Sequence, residues 1–166
     1  MGVDYYYLNR DKSQFFPSGL FHYCGRFKSA GPGLGGRALA ILLSEYGTWR
    51  NDRISLIAEM EPEFNEMLSS GVDIEVEVEI MLLDFDGTEW IEDALESSIV
   101  FAEMCALAIL LGRVDVIALL DEKFGTGKWQ KKYQEHLKCN SDYWSRKIVE
   151  ARNRGLNILI KQGRAG

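Results

Sequence analysis

The sequence predicts an α+β fold: an N-terminal mixed or antiparallel sheet with two short helices, then a C-terminal helical layer. Aromatic and β-branched runs with period-two spacing cluster before residue 88. Apolar residues at helical spacing dominate after it. Strand-like and helix-like segments are segregated and do not alternate, which argues against a doubly wound sheet. A chain of 166 residues can bury a substantial core. One domain over residues 1–166 is therefore expected, with a sheet-rich half (1–87) and a helical half (88–166).

The opening "VDYYYLN", "RDK" and "SQFF" read as a β-hairpin, because aromatic-rich runs flank a polar turn, with Pro17 and Gly19 closing it. "LFHYCGRF" is a further possible strand. A helix over residues 36–46 carries Leu39, Ile41, Leu42 and Leu43, and Gly47 stands where a left-handed C-terminal residue belongs. "RISLIAEM" follows as a strand. Pro62 suits the first turn of a short helix with Phe64, Met67 and Leu68 on one face, ended by Gly71. In "VDIEVEVEI", Val72, Ile74, Val76, Val78 and Ile80 alternate strictly with Asp73, Glu75, Glu77 and Glu79, the pattern of a half-buried strand. A long central helix is expected over 88–112, then amphipathic helices at 113–123, 128–139 and 142–153, separated by "GTG" and "CNS". "LNILIKQG" reads as a late strand or a helix end.

Charge is the most uneven property of the chain. The formal net charge is −6. Residues 54–112 nevertheless hold fifteen acids and no Lys, Arg or His, while the segments on either side are net basic. An asymmetry of this size points to internal pairing or to a polar partner. With 46% hydrophobic and 27% charged residues, composition indicates neither a disordered nor a membrane class. The longest apolar run, 99–112, is interrupted by Glu103 and is shorter than the ~20 residues that cross a bilayer. The N-terminus lacks the basic and apolar regions of a signal peptide. Three cysteines without framework spacing fit reduced thiols, so the expected location is cytoplasmic.

Four patterns raise chemistry. Gly31, Gly33 and Gly36 spell G-x-G-x-x-G before an apolar helical pattern. A dinucleotide loop needs a buried strand running directly into the first glycine, and "RFKSA" stands there instead, so a flexible loop explains the glycines better. Both histidines lie beside cysteines: His22 with Cys24, and His136 with Cys139. Together they would offer four N/S ligands for tetrahedral Zn²⁺, although neither spacing is that of a zinc finger. "GKWQKKYQEHLK" and "DYWSRKIVEARNR" mix bases with aromatics, as nucleic-acid binders do. Trp129, Tyr133 and Leu137 recur at helical spacing, as do Trp144, Ile148 and Ala151, which places them in a core and disfavours nucleic acid. An EF-hand reading of "DFDGT" fails at its first ligand, which would be Leu82.

In "IMLLDFDGTEW", four apolar residues precede D-x-D-G-T. This segment resembles the first motif of the haloacid dehalogenase-like phosphatases, with Asp84 and Asp86 matching its two aspartates. The resemblance implies an Mg²⁺-dependent phosphohydrolase with Asp84 as nucleophile and Asp86 as acid and base, Mg²⁺ offsetting the repulsion between carboxylate and phosphate. The residues themselves also fit a turn at Asp86 and Gly87 with Asp86 or Thr88 capping the next helix. The residues after the motif, less than half of the chain, read mostly as helices and not as the alternating strands that carry later motifs. "DYYYLNRDKSQFF" and "GTWRNDRISLIAEM" are similar to segments of small uncharacterised bacterial proteins with a tyrosine-rich first hairpin and a G-x-W-x-x-D-R-I strand; that resemblance implies no activity.

The reading that best absorbs the charge pattern is a non-catalytic binding protein of immunity or inhibitor type. It would mask a basic protein partner, such as a nuclease or toxin, through a carboxylate row formed by Asp73, Glu75, Glu77 and Glu79, and it would need no cofactor. A row of four like charges on one strand is unfavourable unless a base inside or outside the molecule neutralises it.

Overall fold

A computed structural model describes residues 3–20, 34–86 and 99–161; the side chains of residues 86, 99–103, 110 and 136–145 fall outside that description. The fold is α+β. Contacts divide it into two compact units, Met1–Asp84 with Asn157–Gly166, and Phe85–Leu156.

The first unit is built on the expected hairpin. Strands β1 (Tyr5–Asn9) and β2 (Gln14–Pro17) pair antiparallel with Tyr7 opposite Phe16. Helix α1 (Leu34–Leu43) follows, then β3 (Ile54–Ala58), which pairs antiparallel with β1, Tyr7 opposite Leu56. Helix α2 (Glu63–Ser70) leads into the two-residue strand β4 (Val72–Asp73), which runs parallel to β2. The sheet is therefore mixed and four-stranded, in the order β3-β1-β2-β4.

Period-two alternation along these strands gives the sheet two apolar faces. On one, Phe15 and Ile57 pack with Met67 of α2, and Tyr6, Leu8 and Phe64 complete the cluster. Only Phe64 and Met67 of α2 turn inward; Leu68, expected on that face, is exposed. On the other face, Tyr7 stacks on Phe16 and Phe16 on Trp49, with ring centroids 5.3 and 5.5 Å apart. Trp49 is fully buried and its indole N–H donates to Gln14 Oε1 at 2.9 Å, the partner that a buried indole requires. Gly47 follows α1 for a different reason from the one expected. It forms an antiparallel bridge to Ile160, and a Cβ on it would stand 2.1 Å from the Leu42 carbonyl oxygen, so close approach and not a left-handed φ selects glycine.

The alternating segment 72–80 does not form the expected strand. Pairing stops after Asp73, and residues 75–86 are helix α3 (Glu75–Asp86). Apolar residues continue without a breaker from Ile74 to Phe85. Val76, Val78, Met81, Leu82 and Leu83 are all buried, so this helix has no solvent face along much of its length. A helix buried all round tolerates a V-E-V-E run that looks like strand alternation, because each face must be filled anyway.

In the second unit, α4 (Ile99–Leu110) packs against both α5 (Val114–Phe124) and α6 (Lys128–Asn153). Residues 87–98, the first half of the expected central helix, lie outside the described residues, as does "LFHYCGRF" after Leu20. "GTG" breaks the chain as expected: Gly125 and Gly127 have φ of 88° and 83°. "CNS" does not, and the two expected helices are one of 26 residues. Trp129, Tyr133, Ile148 and Ala151 are buried along it.

An ionic clasp fixes the hairpin turn against the entry to β3. Asn9 Oδ1 accepts the N–H groups of Asp11 and Lys12 at 3.0 Å, while its amide and the Lys12 ammonium both donate to Asp52. Asp11 accepts the Arg53 backbone N–H at 2.7 Å and its guanidinium at 2.9 Å. Hydrogen bonds from Arg53 hold the Asp11 carboxyl below the usual range, and those from Lys12 and Asn9 do the same for Asp52. Both folded values lie under the ordinary 3.8. The clasp thus contributes its full stabilisation above that pH and loses it as pH falls through the depressed values. Urea midpoints measured from neutral pH into strong acid should show this loss, and an Asp11→Asn, Asp52→Asn double variant should start lower and fall less steeply.

Candidate partner-binding surface

The acid-rich segment was expected to present four carboxylates on one strand face. It does something else with each of them. Asp73 is half-buried at the end of β4, and its Oδ1 accepts the N–H of Glu75 at 2.9 Å. Ile74 N–H donates to the Phe15 carbonyl at 2.9 Å, so the chain leaves the sheet with a hydrogen bond and enters α3 with one of its orphan donors satisfied. Glu75 and Glu77 sit in the first turn of α3, where the helix dipole favours negative charge.

Glu75, Glu77 and Glu79 retain only 2, 3 and 0% of their exposure. Burying a carboxylate requires donors, since its lost hydration amounts to several kcal/mol. For Glu77 they are identified: Oε2 accepts the Asn157 side-chain amide at 2.6 Å and the Asn157 backbone N–H at 3.3 Å. Glu75 and Glu79 are likewise engaged in polar interactions. Asp73, Glu75, Glu77 and Glu79 are therefore not a solvent-facing row, and a partner cannot reach the three glutamates in this conformation.

The other sequence candidates fare differently. Asp84 and Asp86 belong to the last turn of α3, not to the end of a sheet strand. Residues two apart on an α-helix lie about 200° apart around its axis, so the backbone does not present them as a converging pair. The side chain of Asp86 and the residues that follow it lie outside the described residues, and with them the expected phosphatase-like Mg²⁺ site. His22, Cys24, Gly31 and Gly33 lie outside the described residues; His136 and Cys139 are on α6, with side chains outside the description, so the zinc arrangement lies there too. Among the described residues, no group of three or more His, Cys, Asp and Glu could hold a metal ion. Cys105 is buried in α4, and burial pushes its thiol far up, which disfavours the nucleophilic thiolate. No helix among the described residues is long and apolar enough to cross a membrane.

Exposed acid is found one element earlier than expected. Between β3 and α2 the chain turns through Glu59, Met60, Glu61 and Pro62, all exposed, and Glu63 and Glu66 are exposed on α2. Met60 is 73% exposed. The turn is held from both sides, because Glu61 Oε1 accepts the Ala58 N–H at 3.1 Å and Glu63 pairs with Arg10 at 2.7 Å. A large apolar side chain thus projects from a fixed turn, flanked in sequence by the exposed Glu59 and Glu61. The alternation signal drew attention to 72–80; the turn chemistry of "EMEPE" marks this surface instead.

Comparison of the chain with protein-family models, with curated proteins and with solved structures finds no match.

The role assigned to Glu77 is directly measurable. Glu77→Ala leaves two Asn157 donors without their acceptor and should destabilise the fold by about 1–3 kcal/mol in urea denaturation. Glu77→Gln keeps an acceptor and should lose less. Amide exchange at residues 157–161 should accelerate most in the alanine variant.

Proposed function

We propose that this chain is a non-catalytic binding protein that docks a basic protein partner through the turn 59–62 and the adjoining exposed edge of α2. One observation carries the reading: Met60 is exposed between two exposed glutamates on a turn that its own hydrogen bonds hold in place. Protein interfaces concentrate affinity in a few apolar anchors surrounded by a polar rim. Methionine serves as an anchor because its unbranched, polarisable side chain adapts to the pocket that receives it. The surrounding carboxylates would act mainly on the encounter rate, steering a basic surface inward with a range set by the Debye length, ~10 Å at 0.1 M salt. An immunity- or inhibitor-type role, in which the chain masks a basic toxin or nuclease, fits this division of labour.

The test begins with the partner recovered from source-cell lysate on the wild-type chain. It is then bound by surface plasmon resonance to Met60→Ser and to a Glu59→Gln, Glu66→Gln variant. Met60→Ser should raise Kd at least ~10-fold, chiefly through dissociation. The glutamine variant should slow association and flatten its salt dependence. Unchanged constants for both variants would overturn the reading.

A further inference from the structure

Strand β3 is an edge strand: among the described residues it pairs with β1 alone. Its hydrogen-bond phase is fixed by the bonds at its two ends, Arg10 N–H to the Arg53 carbonyl at 2.9 Å and Glu59 N–H to the Asp4 carbonyl at 3.0 Å. In an antiparallel ladder, hydrogen-bonded pairs alternate with non-bonded ones. Ser55 and Ile57 therefore direct their backbone groups to β1, and Ile54, Leu56 and Ala58 direct theirs outward. The outward Ala58 N–H donates to the Glu61 carboxylate at 3.1 Å and the Ala58 carbonyl accepts the Glu61 N–H at 2.9 Å, so Glu61 caps both outward groups of that residue. Leu56, in the middle of the strand, is 41% exposed.

Natural edge strands are protected by lysine, proline, a bulge or a cover. The sequence Ile54-Ser55-Leu56-Ile57-Ala58 contains none of the residue-level devices, and Glu61 blocks only one end. We propose that this edge pairs with the β3 edge of a second copy of the chain, antiparallel and two-fold symmetric about Leu56. Among registers that match outward groups to outward groups, only this one overlaps all five residues. It sets Ile54 opposite Ala58, Ser55 opposite Ile57, and Leu56 opposite its own copy, so the two exposed leucines cover each other; Glu61 keeps the Ala58 N–H at both ends, and the central Leu56 pair carries the main-chain bonding.

Charge selects the same occupant. The residues flanking the strand are Arg53 and Glu59, and the symmetric register places Arg53 of each copy opposite Glu59 of the other. Such a directly opposed pair of unlike charges favours antiparallel pairing, and a two-fold axis provides it twice. The Arg53 side chain remains 75% exposed beside Asp11, and Glu59 is exposed, so both can reach across. An edge this short gives a weak dimer, populated by mass action.

Sedimentation velocity of the full chain across about two decades of concentration should show a reversible monomer–dimer equilibrium. Leu56→Lys alters an exposed side chain and leaves the fold intact by circular dichroism. It sets like charges face to face on the axis and should raise the dimer dissociation constant at least ~10-fold. Glu59→Arg alone should weaken the dimer, as should Arg53→Glu alone. An equimolar mixture of these two variants should recover it, since only the mixed dimer opposes unlike charges at both ends. A wild-type chain that stays monomeric throughout, or a folded Leu56→Lys variant that dimerises like wild type, would overturn the proposal.

Discussion

A buried carboxylate obliges the chain to bring donors to it, and at Glu77 this requirement closes the sheet-containing unit. The donors belong to Asn157, separated by 80 residues in sequence. Once Asn157 is placed, the residues after it fall into backbone contact with the turn that follows α1. Thr48 N–H donates to the Leu159 carbonyl at 3.0 Å, and Lys161 N–H donates to that of Tyr46 at 2.8 Å. The bridge between Gly47 and Ile160 lies between them. A unit that would otherwise end with α3 is completed by a segment from the far end of the chain, with the helical unit inserted between. Such an insertion is inexpensive in loop-closure terms, since each doubling of length adds only ~0.6 kcal/mol.

Elements whose local chemistry has one physical solution were legible in sequence. The hairpin has aromatic strands and a polar turn in which Asn9 caps two N–H groups, and nothing competes with that arrangement. β3 ends in the turn before Pro62, and α2 is bounded by Pro62 and Gly71; both formed where expected. In α3 the period-two pattern and the length of the segment point to different structures, and length prevails. From Val72 to Asp86 there is no glycine or proline, and fifteen residues exceed an ordinary strand. Asp73 and the acids following it also match the start of a helix, where carboxylates cap and complement the dipole. The split expected at "CNS" failed for a related reason. Asn140 and Ser141 lower helix propensity by only a few tenths of a kcal/mol each, too little to end a helix that is anchored by buried residues on both sides of them, Tyr133 before and Ile148 after.

Charge counting carried the same weakness into the candidate site. Fifteen acids in residues 54–112 are a fact of composition, but composition does not distinguish a carboxylate in water from one inside the protein. Glu75, Glu77 and Glu79 went inward, while Glu59, Glu61, Glu63 and Glu66 stayed out. What divides the groups is the apolar density around them. The inward three are interleaved with Val76, Val78 and Ile80 on a helix with little free surface. The outward four surround Pro62 on a turn and the solvent side of a short helix. The location of Met60 could have been flagged from "EMEPE" by its turn residues, but its exposure depends on Glu61 and Glu63 fastening the turn to Ala58 and Arg10, contacts that no local pattern encodes.

The two ends of β3 are ordered by different means, and this bears on what the strand can receive. At its start, the Asp11 carboxylate holds both the backbone and the guanidinium of Arg53, so the first residue outside the strand is already in place. At its end, Glu61 folds back onto Ala58 and fixes the turn that carries Met60. An incoming strand or side chain therefore meets backbone whose ordering entropy was lost during folding of the chain itself. Association then loses mainly translational and rotational freedom, together with the rotamers of the few side chains that meet. A five-residue edge with one exposed leucine offers too little area to compensate for additional ordering of loops. The short edge and the single apolar anchor are therefore usable as interaction surfaces because hydrogen bonds within the chain prearrange them: the clasp fixes the start of the edge, and the Glu61 contact, which caps Ala58, fixes the turn that carries Met60.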